Sequence, residues 1–224
     1  MKGLPGFRTL PPAERRRLEE ASEVRAVERG ARLFEAGTPS THVWAVLEGV
    51  VHIVRQGPGG REIVVEIIPA GELFGAVVAL DDDPYPATAV AVEPSVVWRA
   101  PSPLVRALAQ LHPTLRSAIL EHVTSRLRHA HARLQSMALE PVEQRLARTL
   151  VMLAERVGIP REGETEVAVT RQELADMAGT TVESAIRATG AWKRAGIVAT
   201  VRSHIRVVDH LALRAIAAGR GART

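Results

Sequence analysis

The main change of hydrophobic period along this 224-residue chain, from strand-like to helical near Pro113, dictates the architecture. Before about Pro113 the apolar residues fall in β-branched runs such as "HVWAVLEGVVHIVR" and "REIVVEIIPAG", joined by "QGPGG", a hairpin-type connection. In "REIVVEI", Ile63, Val65 and Ile67 alternate with Glu62, Val64 and Glu66, as in a half-buried strand. Glycines at 30, 37, 49, 71 and 75 punctuate short strands as far as "TAVAVEPSVVWRA". Short strands with regular turn signals imply a small antiparallel barrel or roll. Ahead of them, "LPPAERRRLEEASEVRAV" reads as a short amphipathic helix with Leu18, Ala21 and Val24 on one side.

From Pro113 the spacing is helical. Leu120, Val123, Leu127, Ala130, Leu134 and Met137 follow 3–4–3–4–3 spacing, a heptad seam, while Arg126, Arg128, His129, Arg133 and Gln135 occupy the other faces. Such a seam can pack onto its own domain. Its regularity and its distance from other helices in sequence favour a parallel homodimer. Pro141 stops the helix because proline cannot continue the hydrogen-bond ladder. "VEQRLARTLVMLAERVG" is a further amphipathic helix ending at Gly158, "GIPREGETE" a loop and "VAV" a short strand.

The segment "TRQELADMAGTTVESAIRATGAWKRAG" carries the most specific signal. Thr170 followed three residues later by Glu173 forms a capping box, and Leu174 and Met177 give a short first helix its apolar face. Gly179 makes a turn, Thr180 or Thr181 caps a second helix, and Gly196 ends it, with Ala185, Ile186 and Trp192 available for packing. Two short helices joined through a glycine turn make a helix-turn-helix, and "IVATVRSHIRVV" alternates like a two-stranded wing. The second helix presents Val182, Glu183, Ser184 and Arg187 outward at its start. Arginine can donate two hydrogen bonds to guanine and glutamate can accept one from cytosine. Glu183 and Arg187 also stand i,i+4, the spacing of a plain surface salt bridge.

Charge points the same way. Residues 1–112 carry 12 Lys+Arg against 14 Asp+Glu, whereas residues 113–224 carry 17 against 11. A basic C-terminal half is the electrostatic footprint of a polyanion partner. The absence of cysteine excludes disulfides, iron–sulfur clusters and zinc-thiolate sites. No apolar run approaches a membrane span and the first residues show no signal-peptide core, so the expectation is a cytoplasmic protein without a membrane role. His129 and His131 in "HAH" point about 200° apart on a helix, which disfavours a shared metal. Haem through His52 or His131 is weaker than an ordinary role for either. No catalytic set is recognisable, so neither an enzyme nor a cofactor is expected.

On these motifs the chain resembles a transcription regulator of the Crp/Fnr family over roughly residues 15–210. "TRQELADMAGTTVESAIR" and "GELFG" with "ALDDDP…AT" carry the likeness. The resemblance implies an α+β chain: a cyclic-nucleotide-binding-like antiparallel β-roll (1–112), a long dimerisation helix (113–140) and a winged helix-turn-helix (141–224). It places Glu183, Ser184 and Arg187 on base-contacting positions, and Val182 resembles the fumarate-nitrate-regulator branch, since the cyclic-AMP-receptor branch carries Arg there. Thr170, Arg171 and Thr181 join them as expected DNA contacts, with Arg202 and Arg206 as phosphate contacts in the wing. Expected partners are an inverted-repeat duplex, a second copy of the chain and RNA polymerase. The alternative is a ligand-binding signalling module acting through protein contacts.

Cyclic-nucleotide binders of this superfamily resemble "FGE-x-ALL-xxx-PRSAT". Phe74, Gly75, Leu80, Pro84, Ala87 and Thr88 match, but Ala76 stands for the ribose-binding Glu, Tyr85 for the phosphate-binding Arg and Pro86 for the Ser. On the long helix the adenine-facing hydroxyls of the cyclic-AMP branch align with Ala130 and His131. With Gly71 and Glu72 these positions make up a degenerate effector pocket. Hydrogen bonds to charged groups contribute about 1.5–3 kcal/mol each, so their loss predicts a regulator that is effector-independent or answers to something other than cyclic AMP.

Overall fold

The computed structural model describes residues 6–81, 83–201 and 204–220. The chain forms two units, Met1–Ala130 and His131–Thr224.

In the first unit α1 (Pro12–Ala21) starts on a proline and stops at Ser22, whose backbone is extended. The expected helix is therefore shorter than its apolar pattern. Val24 lies in β1 (Glu23–Val27), 62% exposed, because "EVRAV" pairs residue for residue with a later strand, and Leu18 alone anchors the helix in the core. The other strands are β2 (Arg32–Phe34), β3 (His42–Glu48), β4 (Val50–Gln56), β5 (Glu62–Pro69), β6 (Leu73–Phe74), β7 (Thr88–Ala91) and β8 (Ser95–Pro101). They make two antiparallel four-stranded sheets, ordered β1-β8-β3-β6 and β2-β7-β4-β5. Alternate residues of β3 explain its unbroken apolar run. Trp44 and Val46 enter one cluster with Val51, Ile68 and Ala89 of the second sheet and Tyr85 of the segment before β7, and Val43 and Ala45 enter another with helical residues. In β5 the expected alternation breaks at a bulge: Ile53 pairs with Glu66 and Val54 with Val64, which leaves Val65 as the extra residue.

A short helix, α2 (Ala76–Asp81), interrupts the roll, and helical structure resumes at α3 (Ser102–Leu111), ahead of Pro113. The sequence signal for α3 is the buried Val105, Leu108 and Ala109 at helical spacing. Next comes α4 (Pro113–Leu139), whose first turns bury Leu115 and Ile119 in the same core as Phe7, Leu18 and Trp98. The division between units falls inside α4.

In the second unit α5 (Val142–Val157) buries Leu146, Ala147, Leu150 and Leu153. The stretch expected as a loop is a hairpin of β9 (Ile159–Arg161) and β10 (Glu164–Val167). Its turn residues Glu162 (φ 39°) and Gly163 (φ 89°) supply the two positive φ angles of a type I′ connection. Then follow α6 (Arg171–Ala178), α7 (Val182–Arg194), β11 (Val198–Val201), β12 (His204–Val207) and α8 (His210–Ala217). The wing pair β11 and β12 extends the hairpin into one sheet, β11-β12-β10-β9. Asp209 caps α8 by accepting from Ala212 N at 2.9 Å.

Candidate DNA interface and effector pocket

The helix-turn-helix is fixed by its caps. Thr170 Oγ1 accepts from Glu173 N (3.1 Å) and donates to Glu173 Oε2 (2.8 Å), while Thr170 N donates to the same carboxylate (2.7 Å). The Thr170 hydroxyl expected at DNA is thus already engaged in the capping box. Gly179 closes α6 at φ 62°, a left-handed conformation that favours glycine, and a Cβ there would displace the flexible end of Met137. Thr181 Oγ1 caps α7 through Ser184 N (3.3 Å).

α7 buries Ala185, Thr189 and Trp192, and Trp192 Nε1 donates to Glu143 at 2.9 Å. Glu183 and Arg187 are exposed, Val182 and Ser184 partly so. Ile186, expected to pack, is instead 51% exposed. Arg187 donates to Ser184 Oγ (3.3 Å), one turn back. The Glu183 carboxyl sits below its usual range, held by its own backbone N–H and by the Thr181 hydroxyl, with Arg187 the weakest influence. The hydrogen bond of Arg187 thus goes to Ser184, and its attraction for the Glu183 carboxylate is the smallest of those influences. Both side chains stand in solvent at the start of α7, on the side away from the core.

The neighbouring basic residues are more occupied. Arg171 Nε donates to Thr189 Oγ1 (3.1 Å), which ties α6 to α7. Arg206 reaches Glu164 on β10 (3.1 Å). Arg202 lies outside the described residues. One residue had no sequence signal beyond its charge. Arg145 donates to the carbonyls of Ala178 (3.0 Å) and Gly179 (3.1 Å) and also to that of Glu140 (3.1 Å). It thereby joins the C-terminal end of α6 to the turn after α4. Arg145→Met should cost about 1.5–3 kcal/mol in urea unfolding, and an unchanged midpoint would show the staple to be idle.

The seam residues divide into two groups. Leu120 and Leu134 are 63% exposed and Leu127 54%, and Ala130 is also exposed. Val123 instead packs partly against the roll's helical core, one turn after Ile119, and Met137 lies against Gly179.

In the cassette, Gly71 and Glu72 form the turn between β5 and β6, hydrogen-bonded to both backbone groups of Val46 (2.8 and 3.1 Å). Ala76 is buried at the start of α2. Tyr85 is turned into the core, 3% exposed, with its ring stacked on Phe34 at 3.7 Å and its edge 3.2 Å from where a Cβ on Gly75 would stand. Its hydroxyl donates to His42 O (2.6 Å) and accepts from Trp44 Nε1 (3.1 Å). Pro86 and Thr88 line a cleft of about 330 Å³ with Arg32, Glu35, Arg55 and Glu62, in which Arg32 already pairs with Glu62 at 2.7 Å. Where α4 meets the roll, Arg126 pairs with Glu66 and His122 Nε2 bonds Leu73 O (3.1 Å). Burial, then Arg126, push the His122 pKa down. Ala130 and His131 are exposed. The position that would hold a phosphate-binding cation thus supplies a buried neutral phenol.

Burial pushes the Tyr85 pKa above its ordinary 10.0. The unfolded phenol ionises first, so this stability contribution is complete below about pH 10 and is lost as pH rises further. Tyr85→Phe should strand Trp44 Nε1 at a cost of about 1–3 kcal/mol in urea unfolding and flatten that alkaline decline. An unchanged unfolding midpoint would contradict the role given to the hydroxyl.

Among the described residues, no helix is long and apolar enough to cross a membrane, and no group of three or more His, Cys, Asp or Glu could hold a metal ion. A roll carrying a nucleotide-type cassette, a long helix and a winged helix-turn-helix together define a DNA-binding transcription regulator. Residues 24–112 match the cyclic nucleotide-binding domain and residues 144–216 the Crp-like helix-turn-helix domain. The cyclic AMP receptor protein of Thermus thermophilus is 29% identical over 98% of this chain and 99% of its own length. A solved candidate cyclic nucleotide binding protein from Ruegeria pomeroyi is 31% identical, covering 94% of this chain and 92% of that one, with a TM-score of 0.67. A solved CRP/FNR-family regulator, also from Thermus thermophilus, is 24% identical over 89% of this chain and 100% of that one, and shares the fold with a TM-score of 0.75. The chain belongs to the Crp/Fnr family of transcription regulators, a family of regulators rather than enzymes.

Proposed function

We propose that the chain acts as a cytoplasmic homodimer, joined along the exposed Leu120, Leu127, Ala130 and Leu134 face of α4. It reads an inverted-repeat duplex through Glu183, Ser184 and Arg187 and acts on RNA polymerase from there. The observation that carries this reading is the pair Glu183 and Arg187, exposed at the start of α7 and not spent on each other. Thr181 and Val182 border that pair, and Arg171 positions α7 from within. Duplex binding should depend on sequence and weaken steeply with salt, as phosphate contacts release counterions. Salt-insensitive or sequence-blind binding would favour a module acting through protein contacts.

We further propose that DNA affinity does not depend on cyclic AMP, although one relative is named a cyclic AMP receptor protein and another a cAMP-activated regulator. Ala76, Tyr85 and Pro86 remove the ribose contact, the phosphate cation and a donor, and a buried phosphate without partners is strongly disfavoured. Millimolar cyclic AMP should leave DNA affinity unchanged. Micromolar binding by calorimetry, with a matching gain in DNA affinity, would overturn this.

A further inference from the structure

Two features of α7 are not accounted for by the packing of its own unit. Ile186 is 51% exposed. Gly190 sits inside the helix, where glycine is the poorest former after proline. A Cβ there would meet, within 4 Å, just the far end of the Arg194 side chain at 3.8 Å, so no close contact requires glycine. Val182, Ile186 and Gly190 are spaced i, i+4, i+8 and so share one flank of α7, beside the stripe of Glu183 and Arg187. Exposed Arg187, Lys193 and Arg194, against the single acid Glu183, make the surroundings of that flank basic. An exposed isoleucine by itself is ordinary. One aligned with a glycine that packing does not explain, on a cationic helix, marks a surface shaped for a polyanion with an apolar feature.

We infer that this flank lies against the wall of the DNA major groove, with Ile186 over thymine methyl groups, Val182 beside it, and Gly190 admitting the sugar–phosphate backbone closely. The C5-methyl of thymine is the apolar group that the major groove presents, and an aliphatic side chain is its natural complement. This inference rests on α7 being the reading helix and adds a second specificity element to it. Arg187 selects by hydrogen bonds, and Ile186 selects by burying a methyl.

The test uses the full chain and an operator selected from random duplexes. Deoxyuridine replaces each half-site thymine in turn, which removes the methyl and leaves the hydrogen-bonding edge intact. At one position or more the wild type should lose about fourfold per half-site, the worth of one buried methyl, or roughly fifteenfold when both half-sites are changed. Ile186→Ala should bind thymine and uracil duplexes equally while keeping its preference at the base pair that Arg187 reads. Gly190→Ala should melt at a higher temperature, alanine being the better helix former, yet bind the operator about tenfold more weakly from overpacking. A wild type indifferent to every uracil, with Arg187 still selecting its guanine, would overturn the inference and leave the reading helix standing. Absence of any sequence-specific binding would remove both. An Ile186→Ala chain that loses self-association by sedimentation but keeps the methyl response would assign the flank to a second copy and overturn the inference. Unchanged operator affinity in Gly190→Ala would remove the close backbone approach.

Discussion

Leu127→Glu should yield a monomer that no longer binds its operator specifically. Leu120, Leu127 and Leu134 recur every seven residues and are 63%, 54% and 63% exposed, a surface that one copy of the helix leaves in water. Facing a second copy, each leucine side chain would be worth about 1.5–3 kcal/mol on full burial. A carboxylate at the centre of that face would cost several kcal/mol per buried ion if unpaired. Two-fold operators need both reading helices, so loss of the dimer should lower affinity by orders of magnitude. Sedimentation and operator titration check both parts, and a dimeric Leu127→Glu protein with unaltered affinity would mean that the face is covered elsewhere. Val123 and Met137 serve as internal controls. Val123 packs on the roll's core and Met137 on Gly179, so glutamate at either should destabilise its own unit as well.

The change of period at the middle of the chain made the order of roll, long helix and winged helix-turn-helix legible. Turn chemistry and caps made the helix-turn-helix legible almost residue by residue. Thr170, Glu173, Gly179 and Thr181 do locally what their types demand. What escaped was set by tertiary partners. Val24 reads as helical until β8 offers a ladder, and Val65 reads as alternating until the bulge shifts its register. "GIPREGETE" hides a hairpin because its turn uses Glu162 rather than Asn or Asp before Gly163. Val123 and Met137 fit the heptad as well as Leu127 does, and only their neighbours in space separate them from it. Arg145 looks like any helix-surface arginine, since its carbonyl partners come from the turn at Glu140 and from the end of α6, far along the chain. At the cassette, the replacement of Arg by Tyr85 was visible, but its stack on Phe34 and its bond to Trp44 were not.

Arg187 is the side chain proposed to read a base. Its guanidinium is exposed and makes a 3.3 Å contact with Ser184, so it can turn outward without breaking a buried pair. Two donors aimed at guanine O6 and N7 are worth about 1–3 kcal/mol of discrimination. Each half-site should therefore hold an obligatory G·C pair, with Glu183 accepting from the paired or neighbouring cytosine. Arg206→Ala, which removes the partner of Glu164, should instead weaken all sequences alike and lower the salt slope by about one. The deciding measurement is the affinity of wild type and Arg187→Ala for operators varied one base pair at a time. Arg187→Ala should lose about 1–3 kcal/mol per half-site on the intact operator and relax the preference at one base pair. A mutant with slightly altered stability and an unchanged preference profile would contradict base reading by Arg187.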